Sequence, residues 1–323
     1  MLSAIAYCFY CEDLFALLKQ RRSGCWVLED YHGIFGYSDD NWLLAPSLTS
    51  LQDMLKTCEE YAMTHNLKFS TDQDPVKCKT KLMAFLKKPR ELPSLILCGV
   101  PLPWVNRIKH LGNNITNTMD GYQYDTKVKA ANYVAKCNTL SQEFYFAHPA
   151  TKLSINQIYN SHYSSSPLWD LFGDGALKIE SSYNRSVKVM LGLPYETHRC
   201  LIEPLTGAKH VKKILIRRFL GFMENIDKCE KKAIKMLMET AKGDVRSVTG
   251  RNFREIMLLL EKTSVNDVTK NDSDKIKYFP MSETDSWKVE VIKEIIEAKN
   301  NILDIDNFEV EELQAILTYL CTS

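Results

Sequence analysis

The first eighteen residues are apolar with a helical rhythm. Ile5, Cys8, Phe9, Leu14, Leu17 and Leu18 recur at spacings that gather on one side of a helix. Lys19-Gln20-Arg21-Arg22 then puts positive charge at the negative end of the helix dipole, and Ser23-Gly24 stops it. After that the pattern shortens. Apolar runs at 25–28 and 33–37 flank Glu29-Asp30-Tyr31-His32, and a further run, Trp42-Leu43-Leu44-Ala45, follows Ser38-Asp39-Asp40-Asn41 and ends at Pro46. Runs of about five residues around polar turns predict hairpins. Ser47 or Thr49 can cap a helix whose stripe is Leu51, Met54, Leu55, Cys58 and Ala62, with Asn66 as its stop. Residues 67–69, 80–86, 94–98 and 108–115 predict more short strands. Beyond Asp120 the period becomes helical, at about 122–144, 153–171, 180–192, 208–225, 229–242, 250–262, 286–303 and 309–321.

This order predicts an α+β fold: short antiparallel strands with packed helices, followed by an all-helical part. The expected divisions are 1–115, 116–205, a basic helical region 206–270 and an acidic helical tail 271–323, with no internal repeat. Composition adds little, since 45% hydrophobic and 25% charged residues fit an ordinary globular chain and exclude collagen-like or disordered polymers. No apolar run approaches the roughly 18–20 residues that span a bilayer, so no membrane partner is expected. Glu12-Asp13 follow the opening segment and no basic residue precedes it, which argues against a secretory signal. Ten scattered Cys then fit reduced thiols in an intracellular protein. Cys8 and Cys11 have the spacing of half a zinc or redox site, but no second Cys/His pair completes it.

Lys+Arg 41 against Asp+Glu 40 leaves no whole-chain field. The distribution is uneven, however. Between Gly207 and Arg254 there are 13 basic and 5 acidic residues, and between Glu283 and Gln314 there are 3 and 10. The basic block could meet phosphates with salt-dependent affinity, or be a solvated helix face; the acidic tail could dock on it.

The sharpest chemical feature is Phe35-Gly36-Tyr37-Ser38-Asp39-Asp40 between two apolar runs. Paired carboxylates at a hairpin tip repel unless cations meet them. Mg²⁺ takes one or two carboxylates, waters and substrate phosphates, and two such ions roughly 4 Å apart clamp both oxygens of a phosphoryl transfer. Adjacent acids are also common in ordinary turns. Seven His show no metal-site spacing with carboxylates, and the sequence has no Gly-rich phosphate loop or Gly-x-Ser-x-Gly elbow.

A longer series sets the hairpin in context: Tyr37-Ser38-Asp39-Asp40, Leu43-Leu44-Ala45-Pro46-Ser47, a helix with Cys58-Glu59-Glu60-Tyr61-Ala62, Leu67-Lys68-Phe69-Ser70 and Lys79-Thr80-Lys81. In order and spacing it resembles the reverse transcriptases of non-LTR retrotransposons. Lys109-His110-Leu111-Gly112, Asp120-Gly121, Tyr183-Asn184-Arg185 and Leu191-Gly192-Leu193-Pro194 extend the resemblance over roughly residues 2–205. It implies a partial polymerase palm over 1–115, a thumb-like region over 116–205, and RNA-directed DNA synthesis with Mg²⁺, an RNA template, a DNA primer and deoxynucleotides. Asp39 and Asp40 would be the catalytic metal ligands, with Tyr37 packed beneath the hairpin and near the primer end. His110, Leu111 and Gly112 would position the primer. Lys79 or Lys81 would help neutralise the pyrophosphate leaving group, and Arg217, Arg218, Lys231 and Lys232 would contact phosphates.

The departures carry their own expectation. In the family a first metal-binding Asp and a Gln-Gly segment precede the hairpin, and Leu2-Ser3-Ala4 resembles only the end of that segment. Half a palm and a thumb are therefore expected, inactive alone. The alternative is a non-catalytic retroelement-derived protein that binds RNA or a protein partner.

Overall fold

The computed structural model describes residues 2–86, 88, 90–118, 121–159, 163–207, 209–262, 268–276, 283–301 and 314–319. Asp120, His162 and most of the expected helix 309–321 lie outside them. The chain divides into two compact units: Met1–Met119 with Cys229–Leu237, and Asp120–Lys228 with Met238–Ser323. The fold is mixed, with short antiparallel strand pairs and many helices. Among the described residues no helix is long and apolar enough to cross a membrane.

In the first unit, α1 (Leu2–Gln20) packs on β3 (Ile34–Tyr37) and on α2 (Leu48–Thr64). Leu14 and Leu18 meet Ile34, Met54, Cys58 and Tyr61 in one small core. Ser47 caps α2 by accepting the Ser50 N–H at 3.2 Å, and Asn66 turns left-handed after it at φ 53°. The other side of α2 presents Leu55 to Cys78, Leu82, Leu95, Leu97 and Leu102, a second core. Gly24 lets the chain leave α1 closely: a Cβ there would meet Gly33 Cα at 2.8 Å and Leu44 O at 3.0 Å.

The strands pair as four separate hairpins. These are β1 (Trp26–Val27) with β2 (Asp30–Tyr31), β3 with β4 (Asp40–Leu43), β5 (Ile96–Leu97) with β6 (Val100–Pro101), and β7 (Arg107–His110) with β8 (Asn113–Thr116). The expected single strand over 108–115 is thus a hairpin, turned at Leu111 and Gly112, both with positive φ as a type I′ turn requires. Residues 67–69 and 80–86 are not strands. Leu82 makes one isolated bridge to Trp104, and Pro101 and Pro103 lack the N–H groups a longer ladder needs. The loop instead closes on itself, with the Thr80 N–H donating to Ser70 O at 3.1 Å.

The second unit is helical: α3 (Gly121–Glu143), α4 (Pro149–Tyr159), α5 (Asp174–Leu191), α6 (Ile202–Thr206), α7 (Val211–Asp227), α9 (Val248–Leu259) and α10 (Glu283–Asn301). The helix α8 (Lys232–Gly243) begins in the first unit and ends in the second. Of the helix expected over 153–171, α4 (Pro149–Tyr159) is described, and 166–168 is a 3-10 turn with Pro167 in it rather than α-helix. The core is continuous. Trp169, Leu171, Ile179, Val211, Leu215, Ile216 and Phe219 are essentially inaccessible. Polar clamps tie it: Trp169 Nε1 donates to buried Asp125 at 3.0 Å, which also accepts from Ser165, and Asn252 donates to Trp169 O at 2.8 Å while accepting the Leu171 N–H at 2.9 Å.

Candidate functional site

The Tyr37–Asp40 hairpin has two unlike faces. Its register pairs Ile34 with Leu43, Phe35 with Trp42, Gly36 with Asn41 and Tyr37 with Asp40. Side chains alternate along a strand, and cross-strand partners share a face. Ile34, Gly36, Asn41 and Leu43 therefore form one face, and Phe35, Tyr37, Asp40 and Trp42 the other.

The first face belongs to α1. Phe15 lies against Gly36 so closely that a Cβ on the glycine would sit 2.7 Å from its ring and 3.0 Å from the Asn41 amide oxygen. Beside this contact is a pocket of about 360 Å³ lined by Phe9, Glu12, Phe15, Ser38 and Asn41, among others. Burial pushes the Tyr7 hydroxyl up to about 12; its hydrogen bond with Cys11 adds to this, Asn41 opposes it, and the Asp39 charge adds a smaller push. Asp39, at the tip, is thus felt at α1.

The second face is open. Tyr37 is 63% exposed and Phe35 is exposed as well, so Tyr37 does not pack beneath the hairpin as expected from the resemblance. A tyrosine at the end of a four-residue strand, next to a tip, has no layer above it to cover it. Two groups approach this face from elsewhere in the unit. His110, at the end of β7, sets Nδ1 3.6 Å from Asp40 Oδ2 and meets the Trp42 ring edge-on at 5.0 Å. Lys231 places its ammonium 5.9 Å from the centre of the Phe35 ring. The segment carrying Lys231 is anchored by Asp30, whose Oδ2 accepts the Ala233 N–H at 3.1 Å near the start of α8, and Ala233 itself is fully buried. Ser38, the first residue of the tip, has φ 55°, a left-handed conformation uncommon for a side chain with a Cβ.

His110, Asp40 and Tyr37 are thus brought together, with Leu111 exposed at the adjoining turn and Gly112 at its left-handed position. Lys79 and Lys81 are exposed in the irregular segment and no described contact joins them to the hairpin. Arg217 and Arg218 lie on α7 in the second unit. Arg217 pairs with Asp274 at 3.6 Å, and Arg218 lies 6.0 Å from the Tyr163 ring centre. Much of the basic block is neutralised in the same way, Lys209 by Asp274, Lys213 by Glu203, Lys242 by Asp227 and Arg251 by Asp170. Lys231, Lys232 and Lys235 differ: all are exposed, and among the described residues no ion pair holds them. Sequence reasoning missed the Asp30 anchor. A lone Asp on a two-residue strand, 203 positions from the amide it caps, leaves no local signal.

No family model matches the chain, and no curated protein matches it.

Proposed function

We propose that this chain carries the hairpin-bearing half of a polymerase palm and a thumb-like helical region, as in the RNA-directed DNA polymerases of non-LTR retrotransposons. One observation supports this most: the open hairpin face sets Tyr37 and Asp40 beside the β7–β8 turn, through His110. That juxtaposition suits a primer end held between a gripping turn and a carboxylate tip. The exposed tip offers hard oxygen ligands with room for water, so Asp39 and Asp40 fit Mg²⁺, which would supply charge neutralisation for the attacking hydroxyl and the leaving pyrophosphate. Phe35 and Tyr37 give unpaired bases a stacking surface, and Lys231, Lys232 and Lys235 give phosphates a cationic border.

The test is photocrosslinking of a DNA primer, with a reactive terminal nucleotide, annealed to RNA. Adducts are expected within 37–42 and 107–116. Adducts elsewhere, or none that depend on the recessed end, overturn the reading. Primer extension by the 323-residue chain with Mg²⁺ or Mn²⁺ is expected to be undetectable, because two carboxylates on a wet tip hold such ions weakly and two-metal chemistry needs a bridging ligand from another strand. Extension that disappears in Asp39→Ala would show that a further carboxylate of this chain completes the site.

A non-catalytic RNA-binding reading draws on Lys231, Lys232 and Lys235, which no ion pair holds among the described residues. It predicts RNA affinity that Asp39→Ala leaves unchanged and that has no preference for a recessed primer end.

A further inference from the structure

The buried polar groups at the start of α7 have no part in the hairpin site. His210 caps this helix: its Nδ1 accepts the Lys212 N–H at 3.3 Å. Its Nε2 lies 3.6 Å from Glu180 Oε1 of α5, and the two side chains are 3% and 8% exposed. A ring nitrogen that accepts a hydrogen bond carries no proton, so the neutral ring bears its proton on Nε2, facing the carboxylate. A second proton has only Nδ1 to occupy, and there it would point an N–H at an N–H.

We propose that His210 is a proton-operated latch, holding the first turn of α7 closed only while Nδ1 is bare. Among the described residues the charged neighbours include Glu180 from α5, Arg199 from the 3-10 turn before α6, Glu203 from α6, and Lys212 and Lys213 from α7. Asp274, from the 3-10 segment 270–275, is engaged by Lys209 and Arg217. The 166–168 turn packed on α7 brings no titratable group. Burial lowers the His210 pKa below its ordinary 6.5; Glu180 and Glu203 pull it upward and the two lysines push it down, and burial prevails. The opened state therefore takes the proton first. Closure is fully favoured above about pH 6.5 and weakens as pH falls below it. Opening would free Val211, fully buried in the closed state, and unfasten the 2.8 Å Lys213–Glu203 pair that ties α7 to α6.

The experiment is amide exchange of the full chain at pH 7.5 and 5.5, corrected for the intrinsic pH dependence. Protection at 211–214 should fall by about tenfold, the effect of one pKa unit, while α9 stays protected. His210→Asn keeps a capping oxygen that does not titrate, and should abolish the difference. The same loss in His210→Asn, or none in the native chain, overturns the latch. Should that variant not fold, nitrogen NMR of the native imidazole decides: a proton on Nδ1 at pH 7.5, or a midpoint at or above 6.5, overturns it equally.

Discussion

The strand-bearing unit and the helical unit bury their apolar side chains in different ways. In the first, α2 separates two small cores, and the strands beside them are two to four residues long. Phe35, Tyr37 and Leu111 are left in water. In the second, one core runs through α3, α5, α7 and α9, and hydrogen bonds with Asp125 and Asn252 clamp Trp169 and Leu171 within it. Large aromatic side chains that stay exposed on a short hairpin add little to stability, and they are the groups a partner can reach. The helical unit gathers its apolar side chains into one core; the strand-bearing unit divides them between two and leaves the Phe35–Tyr37 face of its hairpin uncovered.

That contrast can be broken by mutation. Phe219→Ala empties a site in the continuous core and should cost about 3–5 kcal/mol, whereas Leu18→Ala, beside partly exposed neighbours that can collapse, should fall at the low end of about 2–5 kcal/mol. Equal losses in urea unfolding would erase the distinction. Asp272 comes next. It is 1% exposed and accepts from Lys262 at 2.8 Å and Lys275 at 2.7 Å, which hold its carboxyl far below the usual range. A depressed carboxylate contributes stability that is present above its unfolded pKa of about 3.9 and is lost as pH falls further. Asp272→Asn should cost about 1.5–3 kcal/mol at pH 7 and flatten the acid limb of the stability profile. A limb of unchanged slope would mean the lysines do not hold it.

Smaller effects sharpen the picture of the hairpin. Gly36→Ala pushes a methyl into the Phe15 ring and should cost about 1–3 kcal/mol, with part recovered in a Phe15→Leu background. No cost would show that α1 does not lie tight on β3. Asp30→Ala uncaps α8 and should cost about 0.5–2 kcal/mol, seen as faster amide exchange at 232–235. Unchanged exchange there would place the anchor elsewhere.

Patterning made the helices legible wherever an apolar stripe was long, as in α1, α2 and α7. It also revealed the Tyr37–Asp40 hairpin, because two apolar runs bracket a polar tip. It failed where a turn lacks the usual residues. Leu28-Glu29 and Leu111-Gly112 do not look like turns, although Leu28 and Leu111 adopt positive φ. The pattern therefore predicts a strand at 25–28 with a turn at 29–32, where β2 lies, and a single strand where β7 and β8 pair. Leu67, Phe69 and Leu82 do face the cores, as their hydrophobicity demands, but Leu82 makes only one bridge, to Trp104, beside prolines that cannot extend it. At the site, Asp39 and Asp40 were evident. The companionship of Asp40 with His110, and of Phe35 with Lys231, was not: such neighbours come from elements far apart in sequence, and one sequence carries no trace of them.

The return of residues 229–237 to the strand-bearing unit has a consequence for the newborn chain. Translation delivers residues 2–118, then roughly 110 more before the lysine segment emerges, about 6–20 s at ribosomal speeds. Throughout that interval Asp30 has no amide to cap and Phe35 no ammonium beside it. The hairpin is therefore made early and finished late, and a ribosome stalled within α7 would display it bare.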